Sequence, residues 1–467
     1  MNKNELIQVT IEDMSTNGEG IGHADGCTLF VSHALIGDEV TARITRPKKS
    51  YAYARCEKIL TPSPDRVEAV CPEARRCGGC TLQEMSYTAQ LAYKASQVEN
   101  ALKRIGEVEA PNMLPIVGME DPFRYRNKAQ YPIGRDREGN ITAGFYAAHT
   151  HAVIPAGDCF LTPEIFNEIV GAFLHFMKEY RISVYDEKTG KGFVRHLLIR
   201  KGFATGEILV CPVVNGRKMP HPDALIDALA LIPGVKSICV NTNTERSNVI
   251  LGKKVTTLYG DPYITDILQG EAKDLKPLTF RISPLSFYQV NPTQTVKLYG
   301  QALEAAGLTG NEIVYDLYCG IGTISLFLAQ RAKAVYGIEI VPDAIRDAKE
   351  NAARNGITNA HFYTGAAEEM ICSGQFSDGT SLPHADVIVV DPPRKGCAES
   401  LLSAILQMQP EKIVYVSCNP ATLARDVKKL CGEGTYTMEY ARPFDLFPQS
   451  THVETVCSLH RIEKKNS

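Results

Sequence analysis

From about residue 275 onward, short apolar runs alternate with amphipathic stretches, and this constrains the fold more than any other feature of the chain. EIVYDLYCGIG (312–322), AVYGIEI (334–340), DVIVVDPPR (386–394) and KIVYVSCNP (412–420) each read as a buried strand running into a turn. TISLFLAQR, PDAIRDAKENAARNG and SLLSAILQM have the helical period and lie between them. Such strand-helix-strand repetition specifies a parallel sheet covered on both faces. The closing segments, TYTMEYARPFDL and THVETVCSLHRI, are neighbouring strands joined by a loop and predict an antiparallel pair. An open sheet of this kind binds ligands beyond the carboxyl ends of its strands, so the strand ends carry the functional question.

Ser417-Cys418-Asn419-Pro420 is one such end, with Thr422 to Leu430 reading as a helix beyond it. A thiol there reaches a substrate, and Pro420 stiffens the turn and removes one donor. A lone cysteine is more often buried and inert; as a strand-end thiol, Cys418 is a candidate nucleophile. Asp316-Leu317-Tyr318-Cys319-Gly320-Ile321-Gly322 opens a helix, and its glycines allow close backbone approach to a ligand. Glu339 ends the next strand, 23 residues after Asp316, where a carboxylate accepts both hydroxyls of a ribose. A dinucleotide fold would place its third glycine at position 325, which is Ser325. An adenosine cofactor without a pyrophosphate, S-adenosylmethionine, fits better. Asp391 stands before two prolines on the same rim, and Glu454 is a carboxylate in an otherwise apolar strand. An outward residue in ordinary alternation is the bland alternative for Glu454.

The amino-terminal region differs in kind. Residues 5–60 form short β-like runs between Gly and Asp turns with no helical period, which predicts a small β-barrel. Arg43, Arg46, Lys48, Lys49, Arg55 and Lys58 interleave there with Tyr51 and Tyr53, the composition of a single-strand RNA binder or of a charged hairpin edge. Thr61-Pro62-Ser63-Pro64 reads as a stiff linker. Cys71, Cys77 and Cys80 follow in a C-x5-C-x2-C cluster, with Cys159 in AGDCFL the candidate fourth ligand. Thiolates so spaced hold an iron-sulfur cluster or zinc, and the residues alone do not separate the two. The spacing departs from the C-x3-C-x2-C of radical enzymes. Gln83 to Ile105 reads as a helix with Leu91, Val98, Leu102 and Ile105 on one stripe. FRYRNKAQYPIGRDR (123–137) brings Arg124, Arg126, Lys128, Arg135 and Arg137 together with Phe123, Tyr125 and Tyr131, a pattern suited to a nucleic-acid groove or to a sheet edge whose arginines pair with acids elsewhere.

At 467 residues the chain exceeds one compact core. The expected division is a barrel over 1–60, a central α+β domain with the cysteine cluster over 61–274, and a Rossmann-like α/β domain over 275–467. No run approaches a membrane span, and the amino terminus lacks the apolar core of a secretory signal. Both point to the cytosol, no membrane association, and fourteen reduced cysteines. A net charge of −3 leaves nucleic-acid binding to local patches.

YDLYCGIG, IEI, DPPRKG, VSCNP and HVE, preceded by SFYQVN (286–291), together resemble the S-adenosylmethionine-dependent RNA (uracil-5-)methyltransferases. The resemblance covers nearly the whole chain. It implies that the barrel is an RNA-binding TRAM domain and that Cys71, Cys77, Cys80 and Cys159 hold a [4Fe-4S] cluster. It implies Cys418 as nucleophile, Glu454 as base, and Gln289, Tyr318, Glu339 and Asp391 as cofactor-binding residues. Position 318 is often Phe in relatives, and a Tyr there still stacks. Barrel and cysteine cluster together resemble the ribosomal RNA members more than the shorter tRNA members, which implies 23S rRNA as partner, with no obligate protein partner. The alternatives are a tRNA uracil-5-methyltransferase, a cytosine or amine methyltransferase on the same fold, and a non-catalytic iron-sulfur RNA-binding protein. An aromatic after DPP would favour the amine; Arg394 stands there instead.

Overall fold

The computed structural model describes residues 1–148, 150–432 and 434–462. Strands β1 (Leu6–Met14), β2 (Gly20–Ala24), β3 (Cys27–Ser32), β4 (Glu39–Pro47) and β5 (Tyr51–Thr61) close into a barrel in the order β1-β2-β3-β5-β4. Alternation drives it: Val9, Ile11, Leu29, Val31, Val40, Ala42 and Ile44 point inward and fill the lumen. Thr61, expected in the linker, is the last residue of β5, paired with Glu39. The buried carboxylate of Asp38 then fastens the barrel to the following chain, accepting from Ser63 N at 2.8 Å and from Arg66 Nε at 3.1 Å.

Helix α1 (Tyr87–Arg104) starts four residues later than the periodicity predicts. Ser86 is its cap, accepting from Ala89 N, while Gln83 is held in a turn where its side chain accepts from Cys71 N. Val98 and Leu102 are buried as expected, but Ile105 is exposed at the helix end. Lys94 of this helix is wholly enclosed and donates to Asp445 Oδ1 at 2.6 Å and to Phe447 O at 3.0 Å. Removing one partner of a buried pair strands the other charge, so Lys94→Ala is expected to lower unfolding stability by about 3–5 kcal/mol. Urea denaturation of the variant checks this; an unchanged midpoint would show that the pair is dispensable.

The central sheet runs in the order β12-β11-β10-β9-β6-β7-β8. Its strands are β6 (Lys128–Arg135), β7 (Ile141–Tyr146), β8 (Val153–Pro155), β9 (Val194–Lys201), β10 (Ile208–Val214), β11 (Val235–Thr242) and β12 (Lys254–Gly260). Helices α2 (Ile165–Glu179) and α3 (Pro222–Ala230) cover one face over Phe166, Phe173, Leu225 and Leu229. Leu198, Leu209, Cys211 and Cys239 on the other face join the core of the carboxyl-terminal unit. The hairpin β13 (Ile264–Leu268) and β14 (Leu278–Ile282) also belongs to that core, so the boundary expected at 274 falls inside one hairpin.

After α4 (Pro292–Ala306) come β15 (Ile313–Leu317), α5 (Thr323–Ala329), β16 (Ala334–Glu339), α6 (Pro342–Arg354), β17 (Ala360–Thr364), α7 (Ala367–Ser373), β18 (Val387–Val390), α8 (Glu399–Met408), β19 (Lys412–Ser417), α9 (Pro420–Cys431), β20 (Tyr436–Phe444) and β21 (Glu454–Arg461). The sheet order is β17-β16-β15-β18-β19-β21-β20, with β15 to β19 parallel and β21 inserted antiparallel between β19 and β20, so that β20 again runs the same way as β19. Every residue of β18 is buried, as two covered faces require. Helix α9 begins two residues earlier than expected because Pro420 is a favourable first helical residue and Asn419 caps it, accepting from Ala421 N. Strand order reverses between β15 and β18, and a crevice opens there at the carboxyl ends. Among the described residues, no helix is long and apolar enough to cross a membrane.

Candidate active site

A cavity of about 690 Å³ fills that crevice, and Gln289, Tyr318, Glu339, Asp391, Cys418 and Glu454 all line it. Each arrives from a different element. Asp316 is the last residue but one of β15, and the chain turns at Tyr318, in left-handed backbone (φ 74°), so that the Tyr318 and Cys319 amides both donate to Ile338 O. Glu339 ends β16 and accepts from Gly320 N at 3.3 Å and from Val341 N at 3.0 Å. Ser325, the residue that departs from the dinucleotide pattern, donates to Asp316 Oδ2, and Asp316 Oδ1 has no partner among the described residues. Gln289 is held through its backbone, its carbonyl accepting from Asn127 Nδ2 at 2.9 Å.

Cys418 and Glu454 meet through strand register. Ser417 on β19 pairs with Thr455 on the reversed β21, so the next residue on each strand, Cys418 and Glu454, falls on the same rim. Glu454 is buried, not outward. Burial, and then the charge of Asp391, push its carboxyl well above the usual range, while Arg394 opposes the shift. Asp391 is raised to about 7 by burial and the charge of Asp316, and Asp316 to about 7 chiefly by burial. The Cys418 thiol is pushed up to about 12 by burial, then by Glu454 and Asp391, against the pull of Arg394. Arg394 Nη2 donates to His452 Nε2 at 3.2 Å. Burial and that guanidinium lower the imidazole to about 4, so it remains a neutral acceptor.

Sequence reasoning did not single out Phe287, His452 or the unpaired oxygen of Asp316, all on the cavity wall. A residue two positions before Glu454 was the available signal for His452. A groove of about 630 Å³ runs from the cavity between α1 and β1, and Arg394, Cys418 and His452 line both spaces. The thiol therefore stands where a bound small molecule and an approaching chain would meet.

The cysteine turn lies at the edge of the central sheet. Gly78 N donates to Tyr146 O, and a side chain at Gly78 would press on Ala148 at 3.1 Å, so glycine is needed for this approach. Arg124 forks onto Asp158 with two 2.6 Å bonds and donates to Cys159 O, fixing the second arm. Cys71, Cys77 and Cys80 each lie within reach of the charge of Cys159, and none of the four is in a disulfide. Among the described residues, no three His, Cys, Asp or Glu side chains are drawn in tightly enough to hold a single ion.

The expected groove of residues 123–137 is corrected in part. Tyr125 and Tyr131 are buried core rings and Arg124 is spent on Asp158; Tyr131 lies on β6 inside the sheet, and Arg124 and Tyr125 lie on the segment that leads into it. On the barrel, Phe30, Tyr51 and Tyr53 form a partly open aromatic patch with ring centroids 5.6–5.9 Å apart. Arg43 and Arg55 beside it both pair with Glu57.

Five carboxylates, those of Asp316, Glu339, Glu368, Asp391 and Glu454, line a cavity at the switch point of a largely parallel sheet that carries one antiparallel strand, an arrangement that suits the cationic adenosine cofactor of an S-adenosylmethionine-binding methyltransferase. Residues 247–462 match the profile of the tRNA (uracil-5-)-methyltransferases, and residues 2–56 that of the TRAM domain. An RNA methyltransferase of Halalkalibacterium halodurans, itself uncharacterised, is 49% identical over 460 residues, covering 98% of each chain. One from Listeria innocua is 46% identical over 461 residues, again covering 98% of each. Among solved structures, the tRNA (uracil-54, C5)-methyltransferase of Pyrococcus abyssi, in complex with S-adenosyl-L-homocysteine, superposes with a TM-score of 0.76 at 28% identity. The match covers 97% of this chain and 100% of that one. The chain belongs to the RNA (uracil-5-)methyltransferase family and carries that family's catalytic domain behind a TRAM barrel.

Proposed function

We propose that the protein methylates C5 of uridine in RNA through a covalent adduct between Cys418 and C6 of the base, acting in the cytoplasm on 23S rRNA. The placement of Cys418 opposite Glu454 on one rim carries this reading. Uracil C5 is a poor nucleophile. Bonding of the Cys418 sulfur to C6 makes C5 enolate-like, so that it attacks an electrophilic methyl group. Glu454 then takes the C5 proton, the C5–C6 double bond re-forms, and the sulfur is released. Burial suits Glu454 to this task, since it strengthens the carboxylate as a base. A uridine within folded RNA must be extruded to enter the cavity.

S-adenosylmethionine supplies the activated methyl group when bound. Glu339 is placed to accept the ribose hydroxyls, Tyr318 to stack, and Asp391 and Gln289 to orient the amino-acid end. The unpartnered oxygen of Asp316 and the acidic lining fit a cofactor of positive charge. The C-x5-C-x2-C spacing and the influence of Cys159 on Cys71, Cys77 and Cys80 support reading the four as ligands of a [4Fe-4S] cluster, with zinc the alternative. In that role the four cysteines tie the turn at 71–80 to the turn at 159. Anaerobically purified protein is expected to absorb near about 400 nm and to lose that band in Cys159→Ser. Zinc without iron would sink the assignment. The barrel and the central domain hold the RNA strand while the carboxyl-terminal domain performs the transfer.

The full-length likeness to a tRNA enzyme favours a second reading, tRNA as the substrate. Nucleoside mass spectrometry of ribosomal and transfer RNA, from strains with and without the gene, decides. Loss of 5-methyluridine from 23S rRNA supports the first reading and loss from tRNA the second; loss of a methylated cytosine or amine instead would overturn both.

A further inference from the structure

Lys128, the first residue of β6, lies directly across from Arg200 of β9, so both side chains share one face of the central sheet. Arg126, two residues earlier, packs over Tyr125 at 5.8 Å. The three cations have no carboxylate among them. Lys128 feels only the repulsive charges of Arg200 and Arg126, and burial with that repulsion lowers its amine to about 8. Arg200 is 3% exposed and donates to the carbonyls of Ser286 and Pro284; its Nε, like that of Arg126, is buried without a partner among the described residues. Arg126 lies within range of Cys80, so the charges without a counter-ion are those of Lys128 and Arg200; buried like charges of that kind destabilise the fold, and an anionic ligand removes that cost on binding.

The position of the cluster says which anion. Asn127, between Arg126 and Lys128, donates from its backbone N to Val290 O at 2.8 Å and from its side chain to Gln289 O. The loop it holds carries Phe287, 65% exposed on the cavity wall. Arg126 extends the charge to His452 on the cavity rim. The cations are thus joined, through one loop, to the space where a base enters.

We propose that Lys128, backed by Arg126 and Arg200, receives one backbone phosphate of the RNA, adjacent to the nucleotide whose base enters the cavity. This rests on the reading of the site as one that modifies RNA. The amine supplies the contact, the two guanidiniums hold the positive potential, and Arg200 keeps the loop at 284–290 in place. A phosphate contact adds affinity without reading sequence, and its loss reduces the dependence of binding on salt.

The test uses the full chain and a fluorescent single-stranded oligouridine titrated at several salt concentrations. Lys128→Met is expected to weaken binding about tenfold and to reduce the slope of log affinity against log salt by about one. Its melting temperature should hold or rise, since an uncompensated buried charge is gone, and S-adenosylhomocysteine binding should persist. Lys128→Arg should restore most of the affinity. Unchanged oligouridine affinity and slope in Lys128→Met would overturn the proposal. So would a lowered melting temperature together with lost S-adenosylhomocysteine binding, which marks a structural residue. Inorganic phosphate is the second arm: if it raises the melting temperature of the wild type alone while oligouridine binding is the same in both proteins, the cluster holds free phosphate and not RNA. If the wild type leaves RNA unmethylated while Lys128→Met still weakens oligouridine, the functional reading fails and this one stands.

Discussion

Cys418→Ala is expected to abolish methyl transfer to uridine and, with it, the covalent complex that the wild type forms with RNA containing 5-fluorouridine. The loss should be on the order of 10⁴-fold or more, the scale seen when a covalent nucleophile is deleted. No neighbour replaces the sulfur: the other cysteine on the cavity wall, Cys319, is buried and carries a thiol pushed far up by its surroundings. Fluorine at C5 cannot leave as a proton does, so the wild-type adduct persists and appears as a retarded band on a denaturing gel. The unliganded site does not favour the thiolate, because burial and two acids push Cys418 to about 12. Arg394 and a bound cationic donor both act in the opposite direction. Wild-type turnover should therefore rise with pH across the neutral range, as the groups that must lose protons do so. Full turnover or an intact 5-fluorouridine adduct in Cys418→Ala would remove the covalent mechanism.

Glu454→Gln is expected to have the next largest effect and a different signature. The amide keeps the size of the side chain but accepts no proton, so turnover should fall about 10² to 10⁴-fold. Sulfur addition and methylation do not need this carboxylate. The methylated adduct, unable to shed its C5 proton, should accumulate with ordinary uridine RNA, where the wild type shows only free RNA at the end of the reaction. A variant that is inactive without trapping RNA would place Glu454 before the adduct and not after it. Retained turnover would show that another group takes the proton. His452 is the nearest rival in the cavity, but it already accepts from Arg394 and is held neutral by burial and that charge.

Much of this site was legible in the chain because its parts are local. A four-residue apolar run such as Val387–Val390 followed by Asp391-Pro392-Pro393 places a carboxylate at a strand end whatever the rest of the protein does. The same holds for Glu339 after β16 and Cys418 after β19. The barrel was legible for a related reason: alternation over 5–60 tolerates no helix. Basic and aromatic composition over 123–137 left two readings open, since identical residues serve a groove or a packed sheet whose arginines pair with acids elsewhere. Tyr131 fills the core because β6 is flanked on both sides by other strands, while on the segment before it Tyr125 packs inward and Arg124 fixes the turn at Cys159.

The sequence by itself determined which groups end the strands of the carboxyl-terminal sheet, since run length and period act over a few residues. Tertiary structure alone decided that Glu454 faces Cys418, that Lys94 pairs with Asp445 some 351 positions away, and that Lys128 lies against Arg200. Those pairings depend on strand register and on which surfaces bury one another, and neither quantity is written in any single stretch of residues.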